Sequence, residues 1–519
     1  GLPDRAAAPP APEPVAPPAP APSAAVGVGV GGGADGQPLA GYHGGAFYVR
    51  DPHDNFRLYF QGRAQIDTFT YFGPGVSSTS LKPTFFLRRI RPELSGEFLK
   101  QWQWMLAGDW GGPTSVDNGK ATNQTAAGSP GNAPSPTSAK YSSAQTPSIK
   151  AQPTDVFLIW HPSGLFNVQM GQFDAPFTQE NRTSDKYIPF MERSLAVRDL
   201  GIPTNKEIGI MFWGEDPKSL AHYELGPFLG DGQNRPNVDA RFDFMGRVFV
   251  HPLAGAPGAI KDLQLGASIR TGDRDPKSVN YDYNAFTTQG TFAFWSPTYS
   301  GSKGTTHVIP AGNQFGAAGE ARIPISIFDL TSEFVYVDNG TREAVEGFQS
   351  TNTERFGSMS GYSYYVQLGV WPLGNRDVNG KPGYEMPTHV DLSKADPLEP
   401  KQALQLLVKW EQLHVKYASA TQKGSTPDPK NIDGLILANV FEVGANYWAT
   451  KHVRLTVNYA YDMFPGSAPV KPTTSTSPAQ TADQRAVAPG NTLSPGVDDA
   501  ARDGAHVLHE LLFRVAVAM

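Results

Sequence analysis

Between residues 56 and 72 the chain alternates. Phe56, Leu58, Phe60, Gly62, Ala64 and Ile66 fall on one parity, and Arg57, Tyr59, Gln61, Arg63, Gln65 and Asp67 on the other. Successive side chains of a strand point to opposite faces, so such a strand has one apolar face and one charged face. The run exceeds the usual strand of about 5–6 residues and suits a tilted strand that crosses a membrane. The pattern returns. Residues 84–98 set Ile90, Leu94 and Phe98 against Arg89, Arg91, Glu93 and Glu97. Residues 101–110 set Trp102, Trp104, Leu106 and Trp110 against Gln101, Gln103 and Asp109. Residues 240–250 set Phe242, Phe244, Val248 and Val250 against Arg241, Asp243 and Arg247, and 263–271 set Leu263, Leu265, Ala267 and Ile269 against Gln264, Ser268 and Arg270.

Sixteen strands are predicted: 56–71, 84–98, 101–110, 154–162, 165–173, 206–214, 220–229, 239–252, 261–272, 315–323, 327–338, 359–371, 402–417, 437–448, 453–463 and 505–518. Residues 287–300 could hide another strand in place of the tenth. Connections alternate between tight ones, such as 99–101 and 162–164, and long ones rich in Ser, Thr, Gly, Asn and Pro, such as 111–153, 174–204, 273–314 and 465–503. Trp and Tyr gather near strand ends at Tyr71, Trp102, Trp110, Trp160, Trp213, Trp371, Tyr447, Trp448 and Tyr461, as an interfacial girdle requires. A soluble sandwich also alternates. Short turns on one side, long loops on the other and the girdle favour a transmembrane antiparallel β-barrel of about 16 strands with an inward-folded third loop. Residues 372–401 break the scheme, being long on the short-turn side; either they fold into the barrel or the strand count slips there.

Composition supports this picture. Only 18 % of the 519 residues are charged, while 54 are Gly and 46 are Pro, a mix for strands and turns. There is no Cys, which excludes disulfides, thiolate metal sites and Cys nucleophiles. A net charge of −6 is too small to suggest a nucleic-acid partner. No apolar run reaches the roughly 18 residues of a membrane helix. Residues 1–40, rich in Ala and Pro and then Gly, read as a disordered periplasmic tether, and 41–519 as the barrel porin domain. The start at Gly1, without an apolar core, reads as a mature form with its targeting segment removed.

The sequence resembles the phosphate-selective porin O and P family. The motifs are FFLRRIRPELSGEF at 85–98, VQMGQFDAPFTQENRTSDKYIPFMERS at 168–194, YELGPFLGDGQN with DARFDFMGRVFVHP in the central hairpin, FEVGANYWATKHVRLTVNYAYDMF at 441–464, and HELLFRVAVAM at the end. The resemblance implies a trimeric outer-membrane channel of a Gram-negative-type bacterium. Its constriction would be lined by arginines and lysines, and its cargo would be small anions: phosphate, polyphosphate or chloride. By motif, the ladder would use Arg88 and Arg89 on the second strand, Arg241 and Arg247 on the eighth and Arg270 on the ninth. Strand parity independently turns Arg89, Arg241, Arg247 and Arg270 inward but puts Arg88 on the opposite face. The chain departs from the family in Asp174, where Lys is frequent, in Lys409, where Arg is frequent, and in ending with Met519 rather than Phe.

The candidate anion-binding residues of the lumen are Arg57, Arg63, Arg88, Arg89, Arg91, Lys186, Arg193, Arg241, Arg247 and Arg270; Arg322, Lys409, Arg454 and Arg514 share the lumen parity. Guanidinium groups offer phosphate oxygens two-pronged hydrogen bonds, and rings of Arg or Lys are the device of anion pores. The competing reading pairs these cations with Asp67, Glu93, Glu97, Asp109, Asp243, Glu320, Glu442 and Glu510, leaving a general-diffusion or solute-specific porin, or a structural outer-membrane barrel. In the third loop, Arg193 either lines the constriction or contacts Glu192. Enzyme motifs are not met: HVLHELL at 506–512 lacks the second His of a zinc-protease helix and lies in an alternating strand. GDGQNRPNVD at 230–239 lacks the bidentate Glu of a Ca²⁺ loop and reads as a turn. No enzyme, cofactor, metal or nucleic-acid partner is expected; the surrounding partner is outer-membrane lipid.

Overall fold

The computed structural model describes residues 32–43, 45–73, 76, 81, 83–111, 152–301, 304–345, 355–380, 382–383, 386–394, 402–421, 432–465 and 506–518. A hairpin, β1 (Ala40–His43) and β2 (Ala46–Arg50), comes first. Nine wall strands follow: β3 (Phe56–Phe72), β4 (Thr84–Phe98), β5 (Trp102–Asp109), β6 (Gln152–Ser163), β7 (Phe166–Asp174), β8 (Lys206–Glu215), β9 (Ala221–Phe228), β10 (Asp243–Val250) and β11 (Gln264–Arg274). The next connection holds three short strands, β12 (Phe286–Thr287), β13 (Ala293–Trp295) and β14 (Thr298–Gly301). The wall then resumes with β15 (Gly304–Ile325), β16 (Phe328–Val345), β17 (Arg355–Leu373), β18 (Ala403–Thr421), β19 (Ile432–Thr450), β20 (Val453–Met463) and β21 (Val507–Ala518). Each wall strand pairs antiparallel with its neighbour. The last returns to the first, with Ala518 opposite Arg63 and His509 opposite Phe72. The result is a closed sixteen-stranded barrel. No helix among the described residues could cross a membrane.

All sixteen expected strands are present. The differences are in length. β15 runs for 22 residues and β16 to β19 for 18 or 19, about twice what a bilayer needs. This sector of the wall therefore stands beyond the membrane on the long-loop side. Residues 287–300 add no wall strand. They contribute to the hairpin β12–β13, which lies inside the lumen, and to β14, which pairs with the outer end of β15.

The outward faces follow the expected parity. Phe242, Phe244, Val248, Leu265 and Ile269 are exposed, and Arg247 and Ser268 point inward and are buried. Phe98, Trp102 and Trp160 form an outward aromatic row at the short-turn rim, with centroids 5.8 and 6.4 Å apart. Four members of the expected girdle turn the other way. Tyr71, Trp213, Trp371 and Trp448 occupy lumen-parity positions and are buried. Tyr71 Oη donates to the Gly290 carbonyl and Trp371 Nε1 to Asp329, so the polar tips of these rings serve the interior.

The lumen is largely filled. On the long-loop side, Phe173, Phe177, Met191 and Leu195 of the third-loop region pack with Phe292, Phe294 and Trp295 of the β12–β13 region and with Phe464. On the short-turn side the described part of the connection, which ends at Lys394, folds inward, which resolves the anomaly of 372–401 in favour of the inward fold. Arg376 binds Asp329 at 2.7 Å, and Gly383 N donates to Thr183 while its carbonyl accepts from Arg247. The same segment then reaches the far wall. Val390 packs on Tyr48 and Tyr59, its carbonyl accepts from Arg57, and His389 contacts Glu97 at 2.7 Å. It is a strap across the short-turn mouth. Residues 1–31 of the expected tether lie outside the described residues. Residues 32–39 lie against the first hairpin, where Arg50 binds Asp35 at 2.6 Å.

Two predictions follow from this architecture. Val248→Arg, on the outward face of β10, should weaken folding into lipid vesicles by up to about 2–4 kcal/mol, the cost of a cation at the bilayer midplane; reversible denaturant titration measures it, and an unchanged midpoint would place that face away from lipid. The strap latch should also depend on pH. The hydrogen bond with Glu97 raises the His389 pKa above its ordinary value. The contact is therefore strongest below about pH 6.5, the unfolded value, and is lost as pH rises through the raised one. Hydrogen exchange around Val390 should speed up across that interval, and His389→Gln should abolish the pH dependence.

Candidate functional site: the lumen constriction

The third loop, residues 175–205, lines the barrel from within. A non-helical segment there must find partners for its backbone groups, and the wall supplies them. Thr178 N donates to Ser268, Gln179 N and Glu180 N to the Glu333 carboxylate at 2.9 Å, and Met191 N to Asn458. The short helix α1 (Leu195–Arg198) starts with Leu195 N donating to Glu411. The carbonyls of Ile188, Pro189 and Met191 accept from Arg454, Asn446 and Arg514. Within the loop, Glu180 braces Ser194 through both its N–H and its hydroxyl.

Six arginines converge on one side of this loop: Arg63 from β3, Arg88, Arg89 and Arg91 from β4, Arg454 from β20 and Arg514 from β21. Strict alternation would send Arg88 to lipid, and the structure corrects that reading. Gln65 pairs with Arg89 and Ile66 with Leu87, so Arg88 is the extra residue of a β-bulge. The outward parity switches there: Phe85 and Leu87 point out before the bulge, Ile90, Pro92 and Leu94 after it, and both arginines enter the lumen.

Two loop carboxylates meet this cluster. Asp185 lies 2.6 Å from Arg63, 2.7 Å from Arg89 and 3.3 Å from Arg91. Glu192 accepts two bonds of 2.9 Å from Arg88, one of 3.1 Å from Arg514, and lies 3.5 Å from Arg89. Burial alone would raise both carboxyl pKa values. The surrounding guanidinium groups outweigh it and hold both well below the usual range, so both stay ionised. The wall adds Asp67 on Arg514, Glu93 on Arg63 and Asp109 on Arg91. Lys186 joins Glu93 at 2.9 Å. Arg193 donates to the carbonyls of Glu180 and Thr183, and no Glu192–Arg193 pair forms. Arg454 has no carboxylate partner among the described residues; it donates to Ile188 and lies near the Trp448 ring.

The other expected cations sit elsewhere. Arg247 is fully buried and bound two-pronged to Glu320 at 2.7 and 2.9 Å. Arg270 binds Asp243 at 2.7 Å, together with Arg274. Arg57 holds the strap and Asp54 at the short-turn end of β3. Arg241 is not on the wall. The Asn237 side chain accepts from Asp239 N and Ala240 N, and Ala240 has φ 60°, so a turn delays the strand until Asp243. Arg241 therefore lies at the rim, exposed, against Asp273. Asp174, the departure from the family motif, receives Lys206 at 2.8 Å. The adjoining stretch of wall is acidic: Lys409 lies between Glu411 and Glu442, which are joined in the interior by Glu333, Asp462 and Glu510.

Among the described residues, Tyr187 lines two clefts on the short-turn side. One is lined by Asp329, Arg322, Arg376 and Gln179. The other is lined by Arg63, Lys186, Lys451, Arg454 and His452, with no Asp or Glu among its described lining residues.

A closed sixteen-stranded barrel with an apolar outer face, a charged lumen and an inward third loop defines an outer-membrane porin. The model of the phosphate-selective porin O and P family matches residues 60–216, the stretch that carries β4, the bulge and the third loop. No curated protein matches the chain. Similar solved structures include the outer-membrane channel DcaP of Acinetobacter baumannii (9 % identity, 90 % of this chain and 98 % of that one, TM-score 0.44). An OmpT loop-deletion mutant, an outer-membrane protein of Vibrio cholerae, aligns at 8 % identity over 90 % and 100 % of the chains, TM-score 0.44. An anion-selective porin from Comamonas acidovorans aligns at 10 % identity over 89 % and 100 %, TM-score 0.42.

The pairing in the constriction sets a stability prediction. Arg514 and Asp67 have fully buried side chains. Arg514→Ala should destabilise the barrel by about 3–5 kcal/mol, because it strands a buried carboxylate. Double replacement with Asp67→Ala should recover much of that loss in the same denaturant titration.

Proposed function

We propose that this porin passes small anions, with phosphate, polyphosphate and chloride as the class, across the outer membrane of a Gram-negative-type bacterium. The observation that carries the reading is the cleft beside the arginine cluster lined by Arg63, Lys186, Lys451 and Arg454, which has no Asp or Glu among its described lining residues. An anion entering it gives up part of its hydration and gains guanidinium contacts. The protein works as a homotrimer, as the resemblance implies, and residues 1–31, ahead of the segment that lies against the first hairpin, act as a periplasmic tether.

A second reading, a general-diffusion porin, draws on one observation: Arg63, Arg88, Arg89, Arg91, Arg247, Arg270 and Arg514 all have carboxylate partners. Reversal potentials under a KCl gradient in planar bilayers separate the two. Chloride should carry most of the current, and the preference should fade near 1 M salt, where the Debye length is about 3 Å. Arg454→Gln with Lys451→Gln should shift the reversal potential toward cation passage without loss of folding. Cation preference in the native chain would select the general porin.

A further inference from the structure

Asp185 and Glu192 each sit where three guanidinium groups meet. Neither acid belongs to the wall: both hang from the third loop, seven positions apart. A planar fork grips carboxylate and phosphate oxygens alike, so each cradle is chemically an oxyanion site that the chain fills with its own side chain. The fit is uneven. Glu192 makes aligned two-pronged bonds with Arg88. Asp185 Oδ1 lies 2.6 Å from Arg63 Nε, yet neither atom makes a hydrogen bond. Access differs between the cradles: Arg63 of the Asp185 cradle lines the cationic cleft, while at the other the Arg88 and Glu192 side chains keep 13 % and 10 % exposure.

We propose that Asp185 and Glu192 are tethered competitors that mask two oxyanion-binding sites, one made by Arg63, Arg89 and Arg91 and the other by Arg88, Arg89 and Arg514. A phosphate oxyanion arriving from the cleft takes the place of a loop carboxylate, and the loop carboxylate returns as the anion leaves. No bond is made or broken, and the exchange is of one anion for another. Each site is thereby kept from holding its ion too long, a condition of conduction. A tether gives the competitor an effective concentration in the millimolar range or above, so the sites are occupied by phosphate only when phosphate is abundant. Arg89 contacts both loop acids, which couples the two exchanges.

The inference rests on the anion-porin reading. Its test is the concentration of inorganic phosphate that halves the chloride current through the full-length protein. Removing a competitor by Glu192→Gln or Asp185→Asn should lower that concentration by about tenfold. Glu192→Asp is the discriminating variant: it keeps the charge but shortens the reach, and it too should sharpen the phosphate block. A general gain of positive field would leave Glu192→Asp like the native chain, and that result overturns the proposal. Native and variant channels blocked equally by phosphate overturn it while sparing the anion-porin reading. Channels all indifferent to phosphate and also cation-preferring overturn both. Folding of the variants is bypassed by a second measurement on an intact cluster. The chain has no Cys, so Tyr187→Cys gives a single thiol on the loop between the two acids. Phosphate should speed its labelling by an uncharged maleimide, because released carboxylates loosen the loop; unchanged or slowed labelling overturns the proposal.

Discussion

The interior depends on the contact between the third loop and the arginine wall. Closing a sixteen-stranded ladder satisfies the wall's own backbone but not a loop that enters the lumen. That loop keeps its place because wall side chains bind its carbonyls and N–H groups, and because Asp185 and Glu192 neutralise arginines that would otherwise repel one another. Each side needs the other. The wall cations would be costly in so confined a space without the loop acids, and the loop acids would be costly without the cations.

The charges also separate, and on β20 and β21 they do so along the strand: Arg454 and Arg514 lie toward the short-turn end, Asp462 and Glu510 toward the long-loop end. Arg63, Arg88, Arg89, Arg91, Arg454 and Arg514 come from β3, β4, β20 and β21, whereas Glu333, Glu411, Glu442, Asp462 and Glu510 project inward from β16 and β18 to β21. The hairpin β12–β13 covers part of the acidic side: Thr288 Oγ1 and Gly290 N donate to Glu510, and Gln289 to Glu442. On the short-turn side a cleft keeps Arg63, Lys186, Lys451 and Arg454 in its lining, with Glu93 and Asp185 behind the first two.

Period-two alternation made the wall legible, because each strand has lipid on one side and charge on the other. Phe242, Phe244 and Val248 face out and Arg247 faces in, as alternation requires. Alternation fails where the count is broken. The bulge at Arg88 admits an extra residue, and only the family motif FFLRRIR carried that information. Arg241 was misplaced because Asn237 caps a turn that alternation cannot see. The buried Trp371 and Trp448 look like girdle residues by composition, since a ring that stacks inside is the same residue as one that meets lipid. The partners of the arginines were least legible of all. Asp185 and Glu192 lie some hundred positions from Arg88 and Arg89, and nothing local in the sequence joins them.

The first hairpin has a consequence of its own. The closing ladder stops at Ala518 opposite Arg63, but β3 begins earlier, at Phe56. The stagger of the barrel therefore leaves part of β3 with no partner on that side. β2 fills it, with Phe47 opposite Phe60 and Arg50 opposite Arg57, and β1 then pairs with β2. Unpaired strand edges are templates for addition of another chain. The unpaired end of β3 would be such a template. This chain supplies that strand with a partner from the residues just before it, so the cover is made locally and does not wait for the barrel to close.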